Sequence, residues 1–508
     1  MGTLPAARCH GGDAQPLEKV TLVNIRLAAI TAGCVLVPAK VALLAAFGPI
    51  FLPDTTDYVL FADMILAGGE WLRAVLPADA LFPVTAFRVI GYPLLLAWAK
   101  LAAGDAWPWI AVLTQIAASL AATALVFLLA VRLSGRPWVG LVAAVGHGTG
   151  QVLVLDQCIL TDSLNASLLV SAGCWIGIAM LGRRPPRAAE MAGLGAAVLA
   201  ALLLREAGAI LQYALWPLAI AWCLTTGTGA RRSIILILLF ALPPFLGAQA
   251  YKAWNAERTG HRFITTAAQT AVFRPALDLY RRGIPVFADD PLLADEPALK
   301  DREFPLPGVA YTTINHHLTA KHGFRPWDVA GHAYATYLRH WRTHFTERVG
   351  IVLSKFDKGL LYLPLMPVVG TERVALWSGG TTPLPAPGQV WQRVVADKRL
   401  DLGFLLAVRT LARVASALIT AAAVIGVPWL AWKGWRRGSA DPRVPLLAAY
   451  WLLGAAYVGT YALVHLEERY LVPVVPFILV CGLSLLAPSF EAAAARTRRL
   501  FVRNRTRA

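Results

Sequence analysis

The stretch that decides the fold runs from residue 22 to residue 49 and reads LVNIRLAAITAGCVLVPAKVALLAAFGP. About 20 apolar residues in an α-helix cross roughly 30 Å of hydrocarbon, so this run predicts a membrane-spanning helix. It is too long for a signal-peptide core, and we expect it to be retained. With this run included, ten apolar runs of roughly this kind lie at 22–49, 107–131, 138–155, 164–182, 190–204, 207–226, 233–251, 404–432, 445–464 and 470–488. The sequence therefore predicts an all-α polytopic membrane protein with about ten transmembrane helices.

Composition supports this prediction. Of the 508 residues, 57% are hydrophobic and only 15% are charged, whereas soluble domains carry about 25% charged residues. A net charge of +17 is also found in nucleic-acid binders, but those need one continuous basic face. Here the basic residues cluster at the ends of apolar runs, which argues against nucleic acid as a partner and for contact with anionic membrane lipids. The six cysteines are scattered without a CxxC pair, which predicts neither a disulfide nor a zinc site.

The short segment 89–103 (VIGYPLLLAWAKLAA) decides the predicted topology, because counting it as a span reverses the side of everything that follows. If it lies along the outer surface as an interfacial helix, the basic clusters fall on the side of the N-terminus, as the positive-inside rule requires. Both termini are then cytoplasmic. The clusters are Arg132/Arg136, Arg183/Arg184/Arg187, Arg231/Arg232, Lys433 to Arg443 and Arg496 to Arg507.

This topology divides the chain into three parts. Residues 1–251 form a transmembrane catalytic module of helices 1 to 7 with a first outer loop at 52–106. Residues 252–403 form a large outer loop or subdomain between helices 7 and 8, in which 328–363 has the pattern of an amphipathic helix. Residues 404–508 supply the last helices and a basic cytoplasmic tail. No internal repeat of the transporter kind is visible.

The first outer loop carries the densest chemical signal, Pro53-Asp54-Thr55-Thr56-Asp57-Tyr58. Two carboxylates stand at a membrane exit with no basic residue beside them in sequence. A solvated turn with Asp54 capping a short helix would explain an isolated DxxD pattern. A functional role for the two aspartates is favoured by a later segment of the same loop, Phe87-Arg88-Val89-Ile90-Gly91-Tyr92-Pro93-Leu94-Leu95-Leu96.

Five patterns occur in order: PD-x-x-x-Y-x-x-x-A, R-x-x-G-Y-P-L-L-L-A, a basic loop after a helix, L-T-D-S-L, and E-R-Y-L-x-P-x-x-P. Together they resemble the GT-C glycosyltransferases, which use polyprenyl-phosphate sugars and include protein O-mannosyltransferases and the lipid A aminoarabinose transferase. The resemblance covers the first half of the chain and the last two helices, and it is weak across 252–403. It implies a GT-C-like fold and a periplasmic active site.

The resemblance also implies roles for individual residues. Asp54 matches the general base that deprotonates an acceptor hydroxyl, which then attacks the sugar with inversion. A free aspartate is a weak base, so this role requires burial or an acidic neighbour such as Asp57 to raise its pKa. The expected partners are a polyprenyl-phosphate sugar donor, with a hexose or pentose, and a glycan, lipid or protein acceptor. The implied substrate-binding residues are Asp57, Tyr58, Arg88, Tyr92, Asp162, Arg205, Glu468, Arg469 and Tyr470.

Several of these residues also have purely structural interpretations. Arg205 is explained equally well as a snorkelling arginine in a short turn, and Arg469 by an ion pair with Glu468. Asp162 fits an N-cap. For Asp156 and Asp162 the resemblance instead implies positioning of the acceptor or a share of a divalent metal ion, which is the one possible cofactor. The histidines at 316, 317, 322, 332, 340 and 344 match no metal motif. Lys40 is costly within a membrane helix and has no evident partner.

Two other functions compete with the glycosyltransferase. A transporter or flippase for lipid-linked sugars predicts charged residues at the bilayer midplane, where only Lys40 qualifies. An O-antigen ligase-like enzyme predicts its functional residues in the large late loop, where the histidines lie. Alanine- and arginine-rich usage favours a bacterial source, so we expect a multi-pass protein of the cytoplasmic (inner) membrane.

Overall fold

The computed structural model describes residues 22–206, 212–296, 299, 307–360, 395–396 and 400–505, and they are predominantly helical. Within this part of the chain the β structure is one isolated parallel bridge between Ile50 and Cys158. The longer helices, numbered in chain order, are α1 (Leu22–Phe47), α2 (Pro53–Ala67), α3 (Gly91–Ala103), α4 (Trp107–Ser134), α5 (Pro137–Gly148), α6 (Asp162–Leu181), α7 (Ala188–Leu204), α8 (Trp216–Thr225), α9 (Ala230–Thr259), α10 (Pro307–His322), α11 (Pro326–Thr343), α12 (Phe345–Leu360), α13 (Leu400–Ala421), α14 (Val427–Arg436), α15 (Arg443–Val464) and α16 (Val475–Arg505).

The chain is a polytopic membrane protein, as predicted. Seven helical segments among the described residues are long and apolar enough to cross a membrane, and α7 and the segment Tyr213–Thr225 are shorter apolar helices. The predicted span 138–155 is divided, because α5 ends at Gly148 and a separate short helix covers Gln151–Leu155. The predicted count of ten is therefore not confirmed.

The centre of the bundle is formed by residues of α4, α6, α7, α8, α15 and α16. The rings of Tyr450 and Phe477 stack with centroids 4.7 Å apart. Gly173 of α6 admits this pair, since a Cβ there would lie 2.5 Å from Cζ of Phe477. Close approach of helix backbones at small residues is a usual way for membrane helices to pack without a hydrophobic driving force.

The predicted interfacial segment 89–103 forms α3, a helix distinct from α4. The two are separated at Gly104, whose φ of 53° is a left-handed conformation that glycine adopts without strain. At its other end α3 lies against α7, because a Cβ on Gly91 would approach the carbonyl oxygen of Leu203 to 2.6 Å. The location of α3 along a membrane surface stays a prediction.

Contacts define two ends of the bundle. At one, which we call the acidic end, the exit of α1, the loop before α6, the end of α7 and the turn after α15 meet. The Ile50 amide donates to the Gln157 carbonyl at 2.8 Å, and Arg205 pairs with Asp162. At the opposite, basic end, Arg136 Nε lies 2.5 Å from Glu491 Oε1. Arg205 and Asp162 thus lie at the acidic end, and Arg136 and Glu491 lie at the basic end.

A loop subdomain (residues 261–296 and 307–360) follows α9, which extends past the boundary drawn at residue 251. Its own apolar core includes Phe273, Phe287, Ile314 and Val329. The amphipathic helix predicted at 328–363 is instead two helices, α11 and α12, because the backbone leaves the helical conformation at His344, with φ −130° and ψ 47°. The stretch 381–388, TTPLPAPG, is rich in threonine, proline and glycine, which predicts a loop, and it lies outside the described residues.

Candidate active site

Arg88 joins the two carboxylates of the DxxD pattern. Asp54 and Asp57 lie three positions apart on α2 and so share one helix face. The Arg88 Nη2 group donates to Asp54 Oδ1 at 3.0 Å and to Asp57 Oδ2 at 2.8 Å, and its Nε donates to Asp57 Oδ2 at 3.0 Å. The basic partner missing beside these aspartates in sequence thus comes from 31 residues farther along the chain. Such charge-assisted contacts fix the geometry of all three side chains.

Arg469 approaches Asp54 from the other side. Its Nη1 lies 3.3 Å from Asp54 Oδ2, and its Nε donates to Glu467 Oε2 at 2.7 Å. His465 Nε2 completes the row, 2.7 Å from Glu467 Oε1. Arg469 thus forms a local ion pair with Glu467.

Glu467 and His465 are the residues that the sequence analysis missed at this site, and the side chain of Glu468 lies outside the described residues. The missing signal was conformational. Glu467 is the extended residue, with φ −114° and ψ 152°, that directly precedes a short 3-10 helix, Glu468–Leu471. This change of backbone conformation, which the residue letters do not reveal, brings Glu467 to Arg469.

The electrostatics of Asp54 differ from the expectation of a raised pKa. Burial raises the pKa of Asp54, but Arg88 and Arg469 lower it by more, so the pKa lies below its ordinary value. Asp57 does not act as an uncompensated neighbour because Arg88 is bound to both carboxylates. The Arg469 and His465 contacts likewise bring the pKa of Glu467 down to about 2, against the effect of burial. Asp54 is therefore a carboxylate at neutral pH, and its side chain is 38% exposed.

Arg205 and Asp162 form a second ion pair, with side chains 12% and 5% exposed. The Arg205 guanidinium also lies 4.5 Å from the ring centre of Tyr470, and the Arg469 guanidinium lies 5.3 Å from the same ring. Arg205 is thus paired and largely buried, and it does not snorkel to the membrane surface from a simple turn. Asp162 is the first residue of α6 and does not serve as its N-cap. Tyr470 connects this pair to the Asp54 cluster.

Tyr58 and Tyr92 lie behind the charged groups. Their rings meet edge to face at 5.3 Å, and the Arg88 guanidinium lies 4.9 Å from the Tyr58 ring centre. Tyr92 is fully buried, and its hydroxyl donates to Gln115 Oε1 at 2.7 Å. Both tyrosines therefore pack against Arg88 or its neighbours, and direct contact with substrate stays a prediction.

A divalent metal does not fit the carboxylates considered for it. Asp156 pairs with the buried Lys40, and Asp162 pairs with Arg205, so their charges are already compensated. Across the described residues no three His, Cys, Asp or Glu side chains converge as a metal site would require. In the loop subdomain, His317 pairs with Glu296 and His332 with Asp290.

Comparison with known proteins finds matches among solved structures. No protein-family model matches the chain. No curated protein matches it either. Two of the solved structures that resemble it are ArnT from Cupriavidus metallidurans, one bound to undecaprenyl phosphate and one in the apo state.

The likeness to ArnT is extensive in coverage and low in identity. The undecaprenyl-phosphate complex is 15% identical over 90% of this chain and 77% of that one, with a TM-score of 0.32. The apo structure is 16% identical over 90% and 78% of the two chains, with the same TM-score. A likeness with a TM-score of 0.32 carries no argument about the site or its chemistry.

Among the described residues, the site therefore brings together side chains from five separate parts of the sequence. One group is Asp54, Asp57, Arg88, Glu467 and Arg469. The other is Asp162, Arg205 and Tyr470. A half-open carboxylate between two guanidiniums is an arrangement that can accept a proton next to a bound anion.

Proposed function

We propose that this chain is a membrane glycosyltransferase that moves a hexose or pentose from a polyprenyl-phosphate donor to an acceptor hydroxyl. The observation that carries the proposal is the position of Asp54 between Arg88 and Arg469, with hydrogen bonds of 3.0 and 3.3 Å. This places a proton acceptor and two anion-binding groups at one half-open point.

The guanidiniums suit the leaving group. When the glycosidic bond breaks, the polyprenyl phosphate gains a negative charge, and fixed cations stabilise that charge. Within the described residues Arg88 donates through Nε and Nη2 only, and Arg469 through Nε and Nη1 only. The remaining nitrogen of each, Arg88 Nη1 and Arg469 Nη2, is left to donate to phosphate oxygens. Arginine is well suited to this role because its donors form a planar fork.

Asp54 acts as the base in this proposal. The acceptor hydroxyl loses its proton to Asp54 while its oxygen bonds to the anomeric carbon, and the bond from that carbon to the phosphate oxygen breaks. One displacement of this kind inverts the anomeric configuration. The low pKa of the free carboxylate suits the resting state. A bound phosphate compensates Arg88 and Arg469, which raises the pKa of Asp54 when a base is needed.

The site belongs on the outer face of the membrane in this proposal. It lies at the acidic end, whereas Arg136 and Arg183 lie at the basic end, with Arg183 Nη2 reaching the Ala440 carbonyl at 3.5 Å. The positive-inside rule assigns the basic end to the cytoplasm. Both termini are then cytoplasmic, and the protein resides in a bacterial inner membrane with a periplasmic active site.

The loop subdomain is placed to select the acceptor, whether glycan, lipid or protein. It contacts the end of α15 through Arg348 Nη2, which donates to the Leu463 carbonyl at 2.9 Å. Lys355 Nζ donates to the next carbonyl, that of Val464, at 3.0 Å. These carbonyls immediately precede His465, so the subdomain lies beside the turn that carries Arg469.

The test is a donor panel with purified protein in liposomes. Radiolabelled polyprenyl-phosphate sugars and an envelope extract are supplied, and release of polyprenyl phosphate and labelled product is followed. We expect one donor to be consumed by wild type and not by Asp54→Asn. The matched control is Asp63→Asn, on the same helix, whose carboxylate pairs with Lys100 and which should remain active. Consumption of no donor, or equal activity of Asp54→Asn and wild type, would overturn the proposal.

A further inference from the structure

A buried ion pair lies close to the candidate site without being part of it. Lys40, within α1, pairs with Asp156, and the two side chains are 1% and 0% exposed. Lys40 Nζ also lies 3.2 Å from Ser119 Oγ. Ser163 Oγ donates to Asp156 Oδ1 at 2.5 Å. The residue that had no evident role in the sequence is thus the centre of a polar network.

The network fixes the loop between Asp156 and Asp162 at its first residue. Besides its carboxylate, Asp156 is held through its backbone carbonyl, which accepts from Gln115 Nε2 at 2.9 Å. The same nitrogen donates to the Cys158 carbonyl at 2.8 Å. The loop therefore has a single position relative to α1 and α4.

From this loop one set of contacts leads to Asp54. The Ile50 amide donates to the Gln157 carbonyl at 2.8 Å, and the Ile159 amide donates back to the Ile50 carbonyl at 2.9 Å. Thr55 Oγ1 then donates to the Ile159 carbonyl at 2.9 Å. Thr55 directly follows Asp54 on α2, so the loop sets the position of the carboxylate.

A second set leads to the opposite side of the site. The loop ends at Asp162, which pairs with Arg205, and Arg205 lies against the ring of Tyr470. A shift of the loop would therefore move Asp54 and Arg205 together, although Lys40 contacts neither.

We propose that Lys40 and Asp156 are positioning residues for the transfer reaction, acting through the 156–162 loop. The proposal rests on the function proposed above. A buried ion pair is a poor source of stability, since well-packed apolar residues of similar volume often stabilise a protein as much or more. What the pair supplies is one defined loop position, and misplacement of reacting groups by about 1 Å can cost 10²-fold in rate.

The test compares Lys40→Met, Asp156→Leu and the double variant. Each single change leaves one buried charge unpaired and should lower the Tm, whereas the double change removes both charges and should restore it. We expect the double variant to have a kcat about 10²-fold below wild type, with a donor KM changed less than about threefold, since Arg88 and Arg469 are unaltered. A double variant with wild-type Tm and wild-type kcat would overturn the proposal.

Hydrogen exchange supplies a measurement that does not depend on activity. In the double variant the amides of Ile50 and Ile159 should exchange faster, while those of α16 keep their protection. Unchanged exchange at both amides would overturn the proposal. If wild type has no transferase activity, the proposed function fails, and the exchange result still shows whether the pair fixes the loop.

A second variant covers the case in which the double variant does not fold. Ser163→Ala keeps both charges and removes only the hydrogen bond to Asp156. We expect normal expression, faster exchange of the Ile159 amide and a lower kcat. Ser167→Ala, a change of the buried serine one turn farther along α6, is the matched control and should keep the wild-type kcat. Equal kcat values for the two serine variants would contradict the positioning role.

Discussion

Arg469 Nη1 lies 3.3 Å from Asp54 Oδ2, although the two residues are 415 positions apart in the sequence. The contact brings the turn after α15 against the first turn of α2, with Arg88 on the other side of the same carboxylate. The candidate site therefore exists only when both ends of the chain are in place.

The first prediction concerns pH. Arg469 lowers the pKa of Asp54, so Arg469→Gln should raise that pKa. The ionised base is present above its pKa and is lost as the pH falls through it. The acid limb of kcat/KM, which reports the free enzyme, should therefore move to higher pH in Arg469→Gln.

The measurement is a pH profile of kcat/KM with the donor identified in the panel. Arg262→Gln, a change of an exposed residue of the loop subdomain, should have the wild-type profile. An acid limb at the same pH in Arg469→Gln and wild type would show that this arginine does not control the base.

The second prediction concerns the shape of Arg88. Its fork reaches Asp54 and Asp57 with three hydrogen bonds, a geometry that one ammonium group cannot reproduce. Arg88→Lys should therefore lower kcat by about 10²–10³-fold, the usual cost of losing a transition-state donor. Steady-state assays would measure it, with Arg73→Lys, an exposed change, as the control. Full activity of Arg88→Lys would mean that charge alone suffices.

The third prediction concerns the contact between α3 and α7. A Cβ on Gly91 would lie 2.6 Å from the carbonyl oxygen of Leu203, a backbone atom that cannot turn aside. Gly91→Ala should push the segment that carries Arg88 away from the end of α7 that carries Arg205. We expect a rate loss of about 10²-fold and a lower Tm.

The control for this change is Gly193→Ala, in α7 itself, where a Cβ would have nothing within 4 Å. Alanine is the better helix former, so the Tm of Gly193→Ala should be unchanged or slightly higher. Wild-type activity and Tm in Gly91→Ala would contradict the close packing of α3 on α7.

The fourth prediction concerns the stability of the loop subdomain. Asp290 is fully buried and accepts hydrogen bonds from Thr336 Oγ1 at 3.0 Å and Arg339 Nη2 at 2.5 Å. Asp290→Asn leaves Arg339 without its counter-ion and should destabilise the loop subdomain, seen as a lower Tm. Asp289→Asn, one residue earlier and exposed, should be neutral.

The effect of Asp290→Asn on the Tm should depend on pH because of the same contacts. Despite burial, the pKa of Asp290 is lowered, chiefly by His332. Its stabilisation is therefore complete above the ordinary aspartate pKa of about 3.9 and is lost as the pH falls further. The Tm difference between wild type and Asp290→Asn should be large at neutral pH and shrink in acid. A difference independent of pH would contradict the assignment.

The sequence predicted the features that depend on local pattern. The run 22–49 became α1, Leu22–Phe47, and 164–182 became α6, Asp162–Leu181, because apolar runs of that length have few alternatives to a helix. The two motifs that bear Asp54 and Arg469 were also predicted to share one side of the membrane, and the structure places these two residues in contact.

The sequence could not predict what depends on distant pairing or on backbone conformation. Lys40 and Asp156 lie 116 positions apart, so neither predicts the other. Glu467, which no sequence pattern singled out, pairs with Arg469 where the chain enters a short 3-10 helix, Glu468–Leu471. The pKa of Asp54 is lowered by Arg88 and Arg469, and only their assembled positions determine the sign of that change.

Reaction with azide tests whether Asp54 removes the proton of the acceptor hydroxyl. Azide is a nucleophile that carries no proton, so its attack on the anomeric carbon needs no base. Asp54→Ala should lose transfer to a hydroxyl by about 10²–10⁴-fold, yet form a glycosyl azide of inverted configuration, with polyprenyl phosphate as the other product. Asp63→Asn should keep hydroxyl transfer. If Asp54→Ala still transfers to the hydroxyl at the wild-type rate, or binds donor but reacts with neither nucleophile, Asp54 is not the base.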